Sequence, residues 1–114
     1  MATVYGLHEI ELRTEVDPEE YEQYFADEVA GLPLMPGWRA YLLRGDRGPR
    51  NGKYLLVFEV DSPEDRDRFF SAEQEETEEL RQYLAEHPDI AEVWQQARSY
   101  EASSVATDYV VVAP

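Results

Sequence analysis

Trp38-Arg39-Ala40-Tyr41-Leu42-Leu43-Arg44 and Lys53-Tyr54-Leu55-Leu56-Val57-Phe58-Glu59-Val60 are two runs dominated by aromatic, β-branched and other apolar residues. Between them, Gly45-Asp46-Arg47-Gly48-Pro49-Arg50-Asn51-Gly52 collects the residues that turn a chain. Glycine and asparagine accept positive φ and proline fixes its own φ, so the stretch predicts two strands and a longish hairpin loop. Strand alternation puts Trp38, Ala40 and Leu42 with Leu56, Phe58 and Val60 on one side. Arg39, Tyr41 and Leu43 then share the other side with Leu55, Val57 and Glu59.

Working outward, residues 3–12 form a third strand candidate, with Val4, Gly6, His8, Ile10 and Leu12 on one face and Tyr5, Leu7, Glu9 and Glu11 on the other. Asp17-Pro18-Glu19-Glu20 opens a helix: Asp17 can cap, Pro18 suits the first helical position, and Glu20 can reach back. Tyr21, Tyr24, Phe25, Val29 and Leu32 continue at helical spacing until Gly31 and Pro33 end it. Ser62-Pro63-Glu64-Asp65 repeats the start signal for a helix carrying Phe69 and Phe70. Residues 72–86 read as an acidic helix with Leu80, Tyr83 and Leu84 as its apolar stripe. His87-Pro88-Asp89 opens another helix, which buries Ile90, Val93, Trp94 and Ala97. The last strand falls at 105–112.

The 114 residues predict a single domain, and 43% hydrophobic content suits a packed core. No apolar run is long enough to span a bilayer, and Met1-Ala2-Thr3-Val4-Tyr5 lacks a signal-peptide pattern, so a cytoplasmic location is expected. With no cysteine there is no disulfide, thiolate metal site or thiol nucleophile. Twenty-five acids against ten bases leave a net charge of −15, a field that repels nucleic acid and anionic membranes. Only one of those bases is a lysine, and such acidity suits a salt-rich cytoplasm, where screening relieves self-repulsion.

The order βαββαβ, with an extra helical insert at 72–98 before the last strand, is the ferredoxin-like pattern: a four-stranded antiparallel α+β sheet. Its first and third strands are expected to be central and parallel, with the helices on one face. That face takes His8, Ile10, Leu12, Trp38, Leu56 and Phe58. The other carries Tyr5, Leu7, Glu9, Arg39, Tyr41, Leu43, Val57 and Glu59, too much apolar surface to leave in water. Burying about six large side chains, at roughly 1.5–3 kcal/mol each, is comparable to or larger than an association cost of about 4–15 kcal/mol. A homodimer closed sheet to sheet is therefore expected.

The opening Val4-Tyr5-Gly6-Leu7-His8-Glu9-Ile10-Glu11-Leu12, the cap Val16-Asp17-Pro18-Glu19, the entry Pro36-Gly37-Trp38 and the closing Thr107-Asp108-Tyr109-Val110 resemble the dimeric α+β barrel superfamily. The likeness runs over nearly the whole chain and rests on structural punctuation, so it bears on fold more than on activity. The superfamily includes cofactor-free antibiotic-biosynthesis monooxygenases, haem-degrading enzymes, chlorite dismutases, muconolactone isomerases, EthD-like and NIPSNAP-like proteins and stress-responsive proteins. The resemblance implies a dimeric barrel and a role toward a small molecule. The helical insert departs from the common pattern.

Among residues that can carry chemistry, His8 stands on the mainly apolar face, where a neutral imidazole can act as a base or orient a ligand; the bland alternative is a hydrogen-bonded core histidine. Tyr24, Trp38, Tyr54, Phe58 and Trp94 are rich enough to line a ligand pocket with it, and packing explains them equally well. Haem-binding members of the superfamily use a helical histidine, which draws attention to His87, but a helix terminus is more often solvated. Glu9, Glu11, Arg39 and Glu59 are expected to meet inside the barrel, either as a proton-transfer site or as an interface salt-bridge network. Metal spacing fails, since alternation sends His8 and Glu11 to opposite faces, and no metal or organic cofactor is expected. The 45–52 loop lacks phosphate-binding spacing, and Ser103-Ser104 lacks a nucleophile's setting.

Two readings stand side by side. One is a protein binding or transforming a small apolar or aromatic molecule between sheet and helices, monooxygenase- or isomerase-like and free of cofactor. The other is a non-catalytic structural or stress-related homodimer. The first requires a cavity of at least about 300 Å³ beside His8; the second requires Trp38 and Trp94 to fill that space.

Overall fold

The chain, described over residues 2–114 in a computed structural model, lays four strands into one sheet in the order β2-β3-β1-β4. The strands are β1 (Val4–Leu12), β2 (Trp38–Arg44), β3 (Tyr54–Val60) and β4 (Glu101–Val110). Every neighbouring pair is antiparallel. The central strands β1 and β3 thus run antiparallel, not parallel as expected. The crossover through the first helix leaves β2 parallel to β1, and the hairpin then reverses the chain to place β3 between them.

The expected barrel is also corrected. β2 and β4 are the two edges of an open sheet and do not pair with each other, so the sheet does not close. What survives is the ferredoxin-like α+β arrangement with extra helices. Its register keeps the division of faces: His8 stands opposite Leu56 and Gly6 opposite Phe58, while Leu7 stands opposite Val57 and Tyr5 opposite Glu59.

Both early caps form. The Asp17 side chain accepts from the Glu19 N–H at 3.1 Å and starts α1 (Pro18–Tyr24). α1 runs on into a π-helical turn, Phe25–Val29, closed by the Ala30 N–H donating to the Phe25 carbonyl. Ser62, almost fully buried, accepts from the Asp65 N–H and starts α2 (Pro63–Phe69). The insert is shorter in helix than its acidic pattern suggests. α3 (Glu78–Glu86) begins only after a turn at 71–76, in which Gln74 takes φ 64°, and Thr77 caps its first residues. α4 spans Pro88–Ser99.

The apolar core divides in two. Ile10, Tyr54 and Leu56 pack against Tyr21, Phe25 and Val29 at one end of the sheet. Met35, Phe69 and Leu80 pack at the other. The helical insert covers the inner face and leaves the outer one bare, so Tyr41, Leu43, Val105 and Tyr109 stand in solvent.

Candidate functional site: a cavity on the inner sheet face

A cavity of about 660 Å³ lies over the inner face of the sheet, lined by residues of both core clusters. It exists because β1 and β4 present Gly6, Ser104 and Ala106 to the helices, where larger side chains would fill the space. Phe58 forms part of the wall, in contact with the Trp38 and Trp94 rings at centroid distances of 5.8 and 5.3 Å. Gln74, Glu76, Gln95 and Arg98 are exposed and line it as well, so the cavity opens to water.

His8 stands within it, edge-on to Phe58 at 5.2 Å. Burial holds its imidazole below the ordinary value; Asp108 pulls the other way and Arg98 adds to the lowering. The ring is therefore neutral at pH 7, and among the described residues no protein group hydrogen-bonds it. A second polar group is also without a partner: the buried indole N–H of Trp38. Buried donors without partners are uncommon in folded proteins, and this one, closed to solvent, counts as a packing cost.

β4 and the helices bring in residues that the sequence pattern does not single out. Asp108 stands opposite Gly6, and its Oδ2 accepts from Arg66 Nη1 at 3.4 Å. Glu101 reaches the cavity through a shift of register between Glu11 and Leu12, which pairs Glu101 with the inner-facing Leu12. Burial raises its carboxyl above the usual range, and Arg98 pulls it down. Strand alternation alone would have set Glu101 on the same face as Ser103 and Val105, away from the cavity.

Of the residues expected to line a pocket, His8, Trp38, Phe58 and Trp94 do so. Tyr24 and Tyr54 lie elsewhere. The Tyr24 hydroxyl donates to the Val93 carbonyl at 3.3 Å. The Tyr54 hydroxyl donates to the Glu22 carboxylate, and its ring packs on Tyr21 at 5.3 Å. His87 caps no cavity wall: its ring stacks on Tyr83 at 4.1 Å, with Nδ1 2.8 Å from the Tyr83 carbonyl. A helical histidine is thus not offered to the cavity, and no cluster of three metal-ligating side chains occurs among the described residues.

Within the single chain, Glu9, Glu11, Arg39 and Glu59 do not come together. Arg39 pairs with Glu59 at 3.2 Å and with Asp61 at 2.7 Å. Glu9 pairs with Arg50 and Glu11 with Lys53. The register explains the separation, since Glu59 stands opposite Tyr5 while Glu9 stands opposite Leu55, four residues along the ladder. Bonds from Tyr41 and then Arg39 hold the Glu59 carboxyl below its ordinary value, so no proton-transfer acid arises there. Tyr5, Leu7, Tyr41, Leu43 and Val57 do share the outer face with these ion pairs.

Open sheet, one-sided helices and inner cavity define a ferredoxin-like α+β protein with room for a small molecule. No family model matches the chain, and no curated protein matches it. Solved structures do. The heme-degrader MhuD from Mycobacterium tuberculosis, solved with two hemes bound in its active site, is 22% identical, with 97% of each chain covered and a TM-score of 0.56. A dimeric protein of unknown function and ferredoxin-like fold from Bacteroides fragilis is 18% identical, with 96% of each chain covered and a TM-score of 0.58. A protein from Chloroflexus aurantiacus, provisionally classed as an antibiotic biosynthesis monooxygenase, is 17% identical over 97% of this chain and 95% of its own, with a TM-score of 0.53. At these identities the likeness establishes the fold.

Proposed function

We propose that the protein binds a small, largely apolar or aromatic molecule in the inner cavity, where His8 serves as base or orienting group. One observation carries this reading: the cavity holds a neutral imidazole with no hydrogen bond from the described residues, beside the aromatic walls of Phe58, Trp38 and Trp94. The purely structural reading requires Trp38 and Trp94 to fill this space, and they form its walls instead. The fold relatives described as a heme-degrader and as a monooxygenase support a role toward small molecules. The test is a titration with naphthalene monitored by amide NMR. Shifts concentrated at Gly6, His8, Phe58 and Trp94 support the reading, and shifts absent or confined to the outer face refute it.

We infer further that the protein works as a homodimer through its outer sheet face. Tyr41, Leu43, Val105 and Tyr109 are exposed there around the buried Val57. The Bacteroides relative is described as dimeric. Light scattering at micromolar concentration tests it, and a monomer mass counts against it.

A further inference from the structure

Asp108 uses its two carboxylate oxygens differently. Oδ2 faces Arg66, while Oδ1 turns over Gly6 and has no hydrogen-bond partner among the described residues. The point at which a Cβ on Gly6 would stand lies 3.1 Å from that Oδ1, 3.9 Å from His8 Nε2 and 3.8 Å from the Phe58 Cβ. The absent side chain leaves a hollow in the cavity floor, with a carboxylate oxygen on one flank and an imidazole nitrogen on the other. Resting on the small-molecule reading above, we propose that this hollow is a subsite for a hydrogen-bond donor, and that the cavity selects neutral ligands bearing a hydroxyl on an apolar ring over anionic ones.

An ionised carboxylate only accepts, so a group that settles against Oδ1 must bring a proton. Hydrogen bonds to charged groups are the stronger ones, particularly where water is partly excluded. A carboxylate ligand placed in the hollow would meet Asp108 charge to charge. Arg66, drawn to Asp108 and also to Asp67, is largely spent on those pairs. Glu76 and Glu101 line the same cavity and add to the repulsion. Arg98 is the cation left to oppose them, at the exposed rim rather than over Gly6. The aromatic walls of Phe58, Trp38 and Trp94 supply the apolar half of the selection.

Calorimetric or NMR titration with three probes, 2-naphthol, naphthalene and 2-naphthoate, tests the subsite. The wild-type protein is expected to bind 2-naphthol about tenfold more tightly than naphthalene, and more tightly than 2-naphthoate. Gly6→Ala fills the hollow, and Asp108→Ala removes the acceptor. Either variant should abolish the hydroxyl's advantage, read as the ratio of naphthol to naphthalene affinity within the same protein, which should fall from about ten to about one. Asp108 is a partly exposed edge-strand residue, so its variant carries the test if Gly6→Ala does not fold. Equal affinity for naphthol and naphthalene in the wild type overturns the subsite and leaves the cavity reading standing. So does an advantage that survives Asp108→Ala, or a preference for naphthoate. Failure of all three probes to bind overturns the subsite and the small-molecule reading together.

Discussion

Asp108 and Gly6 face each other across the β1–β4 ladder, and a Cβ on Gly6 would crowd the carboxylate, standing 3.1 Å from its Oδ1. A strand glycine normally weakens a sheet, and here it makes room for the close approach of the Asp108 carboxylate over the cavity floor. The pair sets the electrostatics of the cavity floor, and His8 reports on it.

The His8 imidazole should titrate below 6.5, because burial outweighs the attraction of Asp108. Asp108→Asn should lower it further, and Arg98→Gln should raise it. A depressed histidine binds its proton more readily in the unfolded chain, so its stabilising contribution is present above about pH 6.5 and fades as the pH falls through the folded value. Ring-proton NMR of the three proteins checks the order, and a wild-type midpoint above 6.5 contradicts it.

Trp38 separates packing from hydrogen bonding. Its ring contacts Phe58, Phe69 and Phe70, but its N–H is buried without a partner. Trp38→Phe keeps an aromatic ring and removes the orphan donor, so the two effects oppose each other and the net loss should stay below about 1.5 kcal/mol. Trp38→Ala should cost about 3–5 kcal/mol. Urea denaturation of both variants measures the difference, and equal losses would mean that the ring contacts matter little.

At the far end of the sheet, burial and then the bond to Glu22 push the Tyr54 phenol up to about 12. The unfolded chain ionises near pH 10, so folding stability should fall as the pH rises from there through about 12. Tyr54→Phe should flatten part of that slope; Tyr21 and Tyr24, raised by burial, and Tyr41, raised first by its bond to Glu59, contribute to the rest. The same substitution frees Glu22, whose carboxyl is held low first by Tyr54 and then by Arg44, to rise toward its ordinary value. Denaturation between about pH 9 and 12 shows whether the slope changes.

On the outer face, Leu43 and Val105 are exposed on β2 and β4. If the wild-type protein is the proposed dimer, Leu43→Arg with Val105→Arg should convert it to a monomer in light scattering while leaving the circular dichroism of the fold in place. A mass unchanged by the pair would move the interface off this face.

Much of the fold is legible where local chemistry decides it. Asp17-Pro18 and Ser62-Pro63 announce helices that form, and the hairpin turns where its glycines allow. Alternation sorts β1, β2 and β3 into the right faces because each strand is read by itself. Direction and closure are relations between strands: the crossover and the hairpin together make β1 and β3 antiparallel, against the expected parallel pair, and nothing in a single strand's pattern shows that the sheet stays open. The same limit applies to the site. His8, Trp38, Phe58 and Trp94 are visible in the sequence as unusual residues on apolar faces. Asp108 becomes meaningful only once the β4 register sets it opposite Gly6, and Glu101 only once the register shift re-aims it. Ala102-Ser103-Ser104 has no strand character of its own, so the early start of β4 is hidden as well.

The most direct test of the cavity's role is crystallographic: the protein crystallised with iodobenzene, with the iodine located by its anomalous scattering. The iodine is expected in the inner cavity, against the wall formed by Phe58 and Trp94. Iodine found only against Tyr41 and Leu43 on the outer face, or none bound at all, would contradict it.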